Sequence, residues 1–212
     1  MKSTLNCIAF FLLTFYSNIS IAQKTTDQKW WKESVFYQIY MPSYADSNGD
    51  GYGDFKGMTQ KLDYLKELGI KGIWLTPFLT SPKIDNGYDI ANYYEVDPTY
   101  GTKTDFDIFL NEAHKRGIKV IIDMVLNHTS TDCKWFQESR KSKDNPYRDY
   151  YIWKEEPNNW ESFFGGTAWE KDTATNQYYY HKFDKRMADL NWSNPKVVDE
   201  VQKILRFWLD AG

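Results

Sequence analysis

Residues 62–77 read LDYLKELGIKGIWLTP, and this stretch holds one helix-to-strand unit. Its leucines recur at helical spacing, at Leu62, Leu65 and Leu68. Gly69 stands where a C-terminal cap would end that helix. The run from Gly72 to Thr76 then has the length and composition of a strand, and Pro77 ends it. The stretch therefore predicts a helix that leads directly into a strand.

The same alternation continues on both sides of this unit. A β-branched and aromatic run from Ser34 to Met41 predicts strand one, and the run from Lys119 to Val125 predicts strand three. Between them, Thr104 is predicted to cap a helix that ends at Arg116-Gly117. Asn194-Pro195 opens a last helix. Nearly continuous apolar strands separated by helices predict a parallel sheet with both faces covered.

Residues 129–192 interrupt this rhythm with many Trp, Tyr, Asn and Asp residues and no clear period, which predicts an inserted irregular subdomain. Three βα units do not close a sheet, and a (β/α)8 barrel needs eight strands and about 250 residues. The predicted fold class is therefore α/β, as the N-terminal part of a (β/α)8 TIM barrel, with residues 23–128 and 193–212 in the barrel. A complete small α/β protein is the alternative, but no element is left over to cover its sheet edge.

Charge and composition narrow the classes of ligand. The chain has 26 Lys and Arg against 29 Asp and Glu, and no segment is strongly basic, so a nucleic-acid partner is not expected. Aromatic residues make up 18% of the chain. This excess favours a ligand with flat apolar faces and a polar rim, such as a sugar ring.

The first 22 residues have the pattern of a signal peptide. Lys2 precedes an apolar run, and Ser20-Ile21-Ala22 offers a cleavage site before Gln23. The run is too short to span a bilayer, so export to the periplasm or the medium is expected rather than anchoring. Cys7 would leave with this segment, and Cys133 alone cannot form an intrachain disulfide.

A loop rich in Asp and Gly follows strand one, from Asp46 to Asp54. Oxygen-bearing side chains alternate along it, and the closely spaced carboxylates would repel each other unless a cation lay among them. Position 12 of the pattern is Gly57, so no bidentate Glu closes the loop. The loop predicts Ca2+ binding outside a helix-loop-helix context, with a solvated acidic turn as the alternative.

Polar side chains also follow the next two strands. Asp85-Asn86-Gly87-Tyr88-Asp89 follows strand two, and Asn127-His128 follows strand three. The carboxyl ends of parallel strands are where barrel enzymes place their sites. Asp123, within the predicted third strand, would be costly without a partner, and we interpret it as a supporting residue that pairs with an Arg.

With these residues in view, the sequence resembles the α-amylase family of glycoside hydrolases, in its α-glucosidase and oligo-1,6-glucosidase branch. The resemblance runs from about Trp30 to Gly212. Five stretches carry it: Val35-Phe36-Tyr37-Gln38-Ile39-Tyr40, the loop from Asp46 to Asp54, Asn86-Gly87-Tyr88-Asp89, the run from Asp123 to Ser130, and Asp189-Leu190-Asn191-Trp192.

The resemblance implies roles for individual residues. Asp85 and His128 would hydrogen-bond the hydroxyls of a glucose ring that stacks on Tyr88, while Phe164 and Phe183 would lean over the pocket. Asp123 and Asn127 would support them. The implied calcium ligands are Asp46, Asn48, Asp50, the carbonyl of Tyr52, and Asp54.

The resemblance also implies that the nucleophile, the acid/base and a third carboxylate lie beyond Gly212, so the 212 residues alone are expected to be inactive. Met187-Ala188 stands where the oligo-1,6-glucosidase motif begins Gln-Pro, which leaves α-1,4 against α-1,6 preference open. The implied activity is retaining, exo-acting hydrolysis of maltose- or isomaltose-type oligosaccharides by a monomer.

Three alternatives remain at this stage. The first is an endo-acting α-amylase-like hydrolase, although the long insertion favours a closed, exo-acting pocket. The second is a non-catalytic homologue of the kind that needs a membrane span, for which the N-terminal apolar run is too short. The third is a plain calcium-binding module, which would leave Asp85, Tyr88 and His128 without a purpose.

Overall fold

The computed structural model describes residues 29–212. The predicted signal peptide and Cys7 therefore lie outside the described residues. The chain divides into two units, Met1–Glu33 and Ser34–Gly212. In the first unit, Trp30–Glu33 forms a short 3-10 helix. The second unit carries the helices and strands that follow.

Its helices are α1 (Phe55–Gln60), α2 (Leu62–Glu67), α3 (Lys103–Lys115), α4 (Lys134–Ser139) and α5 (Pro195–Asp210). Its strands are β1 (Phe36–Ile39), β2 (Gly72–Leu75), β3 (Leu79–Thr80), β4 (Asn92–Val96), β5 (Lys119–Ile122), β6 (His128–Ser130), β7 (Trp153–Lys154), β8 (Trp169–Lys171), β9 (Tyr178–Tyr180) and β10 (Met187–Asp189).

The three predicted strands form one parallel sheet in the order β1-β2-β5. Phe36 lies opposite Gly72, which lies opposite Lys119, so the strands start in register. A Cβ on Gly72 would approach the Phe36 ring to 2.4 Å, so a larger residue there would displace that ring. The observed strands are shorter than predicted. In particular, β5 ends before Asp123.

Within residues 29–212, the helices cover one face of this sheet, whereas the sequence predicts that both faces are covered. Ile39, Ile73 and Leu75 are fully buried in a core shared with the helices. On the other face, Trp74 and Ile121 lie side by side in the pairing register and are 40% and 44% exposed. Successive side chains of a strand point to opposite faces. The helices pack on the face of Ile39, Ile73 and Leu75 and leave the face of Trp74 and Ile121 open, as in the wall of a barrel.

The helices form where the sequence predicts them, with three corrections. The residues before Gly69 form two helices, α1 and α2, and Leu68 is exposed rather than buried. Gly69 has a φ of +85°, as a helix-ending glycine should. The cap of α3 is Thr102 instead of Thr104, because Thr102 and Asp105 satisfy each other's backbone N–H groups in a capping box.

The last helix, α5, packs against the core. Asn194 caps it through the N–H of Lys196, as predicted. Val197, Val201, Ile204 and Trp208 form its buried stripe, whereas Leu205 is 37% exposed. The Trp208 indole donates to the Tyr93 carbonyl at 2.8 Å, which ties α5 to β4.

Residues 129–192 contain short regular elements that their composition does not predict. β6 and β10 pair antiparallel, and β7, β9 and β8 form a three-stranded antiparallel sheet. A second apolar cluster, around Phe136, Tyr151 and Tyr179, packs these elements together. No helix within residues 29–212 has the length and apolar content that crossing a membrane requires.

Candidate functional site

The Asp85–Asp89 loop lies at the tip of the antiparallel pair β3–β4. Asp89 is fully buried and organises the loop with both carboxylate oxygens. One oxygen accepts hydrogen bonds from the Ser81 hydroxyl at 2.8 Å and the Asp85 N–H at 3.2 Å, and the other accepts from the Ile84 N–H at 2.9 Å. Asp89 therefore fixes the backbone that carries Asp85.

Asp85 itself is left available for a ligand. Within residues 29–212, no group donates a hydrogen bond to its carboxylate. The loop turns back through Asn86 at φ +52° and Gly87 at φ +96°. A Cβ on Gly87 would meet the Pro77 carbonyl at 2.9 Å, so the turn requires glycine there. Tyr40, which follows β1, donates to the Asn86 side-chain oxygen at 2.9 Å.

Tyr88 connects this loop to the end of β5. Its hydroxyl donates to Asp123 Oδ2 at 3.0 Å. Burial, followed by this hydrogen bond, raises the pKa of Tyr88 to about 12, so the phenol keeps its proton. Asp123 lies just past β5 rather than inside a strand, and its partner among the described residues is Tyr88.

His128 is buried, and both of its ring nitrogens are engaged. Its Nε2 lies 3.1 Å from the Tyr88 carbonyl oxygen, which can only accept, so Nε2 carries the hydrogen. Its Nδ1 then accepts from Asn127 Nδ2 at 3.2 Å. Burial lowers the pKa of His128, so the ring is neutral at neutral pH. His128 thereby holds the backbone of Tyr88 in place.

A second buried carboxylate, Asp189, lies beside His128. The two residues face each other across the β6–β10 pair. Asp189 accepts from Asn127 Nδ2 at 3.1 Å and from the Lys182 N–H at 2.8 Å. Burial raises the pKa of Asp189. Asn127 therefore links Asp189 to the imidazole and orients both.

Phe183 packs beside His128, and Phe163 and Phe164 pack against Phe183. The Phe183 ring centroid lies 5.3 Å from that of His128. It also lies 5.7 Å from Phe163 and 5.9 Å from Phe164, two rings that are 71% and 60% exposed. Exposed rings beside a polar edge form an apolar wall for a ligand that also offers hydroxyl groups.

The Asp46–Asp54 loop supplies the oxygen types that calcium prefers. Asp46 accepts from the N–H groups of Asn48, Gly49 and Gly51, and these bonds, that of Gly51 first, lower its pKa. Asp54 instead caps α1 through the Gly57 N–H and accepts from Ser47. No three Asp, Glu, His or Cys side chains in the described part of the chain converge as a metal site.

The structure thus gathers Asp85, Tyr88, Asp123, Asn127 and His128 at one sheet edge, with Phe164 and Phe183 nearby. Sequence reasoning gave no role to four further residues: Tyr40, Asp89, Phe163 and Asp189. Tyr40, Asp89 and Asp189 each fall within a stretch that carried the resemblance, and Phe163 precedes Phe164. Their positions in or beside these motifs are the sequence signal that could have identified them.

Comparisons with known proteins match this chain to one family. The family model described as "Alpha amylase, catalytic domain" matches residues 38–212. An oligo-1,6-glucosidase of Parageobacillus thermoglucosidasius is 57% identical over 191 residues, which are 88% of this chain and 34% of that protein. A trehalose-6-phosphate hydrolase of Bacillus subtilis is 52% identical, with 89% and 35% covered.

Solved structures give the same result. The trehalulose synthase MutB from Pseudomonas mesoacidophila MX-45 superposes with a TM-score of 0.85 at 57% identity, covering 86% of this chain and 34% of that one. The chain spans about a third of the length of the relatives that it matches.

Proposed function

The chain belongs to the α-amylase catalytic-domain family, and from that premise we propose that its complete protein hydrolyses α-glucosidic bonds in short oligosaccharides. The reaction is exo-acting and retaining, and its substrates are of the maltose or isomaltose type. Support comes from relatives that include oligo-1,6-glucosidases more than half identical to this chain. The observation that carries the proposal is the free Asp85 carboxylate beside Tyr88 and His128 at one sheet edge.

These residues suit a terminal glucose ring. A sugar ring offers a C–H face that packs on an aromatic ring and a rim of hydroxyls that carboxylates bind. Asp85 accepts from two hydroxyls, and the sugar stacks on Tyr88. The His128 Nε2–H, which now meets the Tyr88 carbonyl at 3.1 Å, also donates to a hydroxyl. The rings of Phe164 and Phe183 cover the bound sugar.

The fold around this edge is part of a (β/α)8 barrel, and residues 129–192 are an insertion after its third strand. The exposed Trp74 and Ile121 then face the barrel interior. The nucleophile and the acid/base are carboxylates beyond residue 212. Support comes from Asp89, Asp123 and Asp189, whose carboxylates already hold neighbouring groups of the site.

A product assay on the full-length protein tests this function. Maltose, isomaltose and starch are each incubated with the protein, and proton NMR follows the anomers of glucose as they are released. An excess of α-glucose over its equilibrium share is the expected result, because the ring released from the non-reducing end keeps its α configuration. Release of longer oligosaccharides from starch without free glucose would favour the endo-acting alternative, and turnover of neither disaccharide would contradict the proposal.

We propose that the Asp46–Asp54 loop binds calcium through the Asp46, Asn48 and Asp50 side chains and the Tyr52 carbonyl, with Asp54 supporting the loop. Asp46 and Asp50 are exposed and keep unused lone pairs. Calcium takes six to eight oxygens, so water completes the shell.

Calcium should therefore raise the melting temperature of the full-length protein. A ligand present at 100 times its Kd adds about 2.7 kcal/mol of stability, which corresponds to several degrees. The measurement is melting with calcium and with a chelator, on wild type and on Asp46→Ala. Asp107→Ala, on the exposed face of α3, is the control. Equal melting in both buffers would contradict calcium binding.

Export with removal of residues 1–22 is the localisation that we propose. The support is Lys2, the short apolar run and the Ser20-Ile21-Ala22 site. Amino-terminal sequencing of the exported protein should begin at Gln23. Sequencing that begins at Met1, on protein held in the membrane, would overturn the prediction. The exported protein acts as a monomer on its oligosaccharide substrate.

A further inference from the structure

Two short segments carry the three phenylalanine rings that pack together beside His128. Phe163 and Phe164 lie on residues 162–165, and Phe183 ends residues 181–183. Neither segment belongs to the parallel sheet, so something else must hold the rings at their observed spacing. The contacts of two buried side chains, Ser162 and His181, supply that constraint.

Both side chains bind the same backbone oxygen. The Phe183 carbonyl accepts a hydrogen bond from the Ser162 hydroxyl at 2.7 Å and another from His181 Nδ1 at 2.9 Å. Because a carbonyl only accepts, Nδ1 carries the hydrogen. The Ser162 oxygen also accepts from the Phe164 N–H at 3.2 Å. One hydroxyl therefore fixes the backbones of both ring-bearing segments.

Both side chains are buried, so their polar atoms can bind only the groups packed around them. Ser162 is 9% exposed and His181 is 4% exposed. The second ring nitrogen of His181, Nε2, is buried and has no hydrogen-bond partner within residues 29–212. Leaving a buried polar atom unpaired is costly. The imidazole therefore keeps this position although Nε2 is unpaired, and its Nδ1–H donates to the Phe183 carbonyl.

The same segments are tied to the sugar-facing edge. The Lys182 N–H donates to Asp189 at 2.8 Å, and the Phe163 N–H donates to the Lys182 carbonyl at 2.7 Å. Asp189 in turn holds Asn127, which orients His128. A continuous set of hydrogen bonds therefore runs from the imidazole to the rings above it.

We propose that Ser162 and His181 are positioning residues, which fix Phe164 and Phe183 over the bound sugar and thereby set its affinity. The inference rests on the proposed function, which places the sugar against these rings. Neither side chain touches the sugar. His181 acts through Nδ1 alone, and Nε2 plays no part.

The test uses Ser162→Ala, His181→Phe and His181→Asn in the full-length protein. Ser162→Ala and His181→Phe should each raise KM for maltose about tenfold, the effect of losing one buried hydrogen bond, with kcat within about threefold. His181→Asn places an amide N–H near the position of Nδ1 and should stay within about twofold of wild type. The double variant Ser162→Ala/His181→Phe should raise KM by less than the product of the two single effects, because both side chains bind one carbonyl.

Ser139→Ala is the matched control. Ser139 is fully buried, and its hydroxyl donates to the Phe136 carbonyl at 2.9 Å, away from the rings. It should leave KM unchanged. Wild-type KM in Ser162→Ala would overturn the proposal, and so would equal losses in His181→Asn and His181→Phe. If His181→Phe does not fold, Ser162→Ala decides.

Calorimetric titration with glucose separates this inference from the proposed function. If the wild type binds glucose but hydrolyses no α-glucoside, the proposed function fails. The inference then stands or falls on whether Ser162→Ala weakens glucose binding about tenfold, as it predicts. Unchanged glucose binding in Ser162→Ala would overturn the inference whatever the enzyme hydrolyses.

Discussion

Replacing Asp85 with alanine should lower kcat/KM on maltose or isomaltose by about 100- to 1,000-fold, and replacing His128 should do the same. A charged acceptor or a donor that strengthens its bond in the transition state contributes a few kcal/mol. The Asp85 carboxylate has no competing partner among the described residues. His128→Ala loses more than a donor, because the imidazole also holds the Tyr88 carbonyl.

Steady-state kinetics on the full-length protein provide the measurement, with two matched controls. Asp107→Ala removes an exposed carboxylate on α3 that pairs with Lys103. His114→Ala removes a half-buried imidazole on α3 near Lys119, at the opposite end of β5 from the site. Both controls should keep wild-type kinetics. If Asp85→Ala or His128→Ala kept them too, the assignment of these residues to the sugar would fail.

Replacing Asp89 with alanine should damage both stability and activity. The change strips three donors, on Ser81, Ile84 and Asp85, of their buried acceptor. At about 1 kcal/mol each, the loss is about 3 kcal/mol of folding free energy. A group that positions the substrate costs roughly 100-fold in rate when it is displaced by about 1 Å. Displacement of Asp85 should therefore lower kcat/KM by about that factor.

Thermal melting and kinetics together separate Asp89 from Asp85. Asp89→Ala should lower the melting temperature by several degrees, whereas Asp85→Ala should leave it near wild type. Asp107→Ala again serves as the control for the loss of a carboxylate. An Asp89→Ala protein that melts and turns over like wild type would mean that the loop does not depend on this buried carboxylate.

Local patterns predicted the parallel sheet well. Gly69 and Asn194-Pro195 mark real helix ends, because caps depend on residues that are close in sequence. Which face the helices of residues 29–212 cover could not be predicted, since an apolar strand has the same composition whether one face or both are packed. Trp74 and Ile121 show this directly.

The supporting part of the site could not be predicted in the same way. Asp189 reaches Asn127 across 62 residues, through the pairing of two three-residue strands. Segments this short carry no periodicity that would reveal their partner. The Asp123–Tyr88 contact likewise depends on how two loops meet, and no spacing in the sequence specifies it.

Asp85, Tyr88 and His128 form the proposed binding site for a terminal glucose ring, and a crystal structure of the full-length protein with glucose can decide it. We expect a glucose ring stacked on Tyr88, with hydroxyls within hydrogen-bond distance of the Asp85 carboxylate and His128 Nε2. Glucose bound at another place, with this sheet edge holding only water, would contradict it.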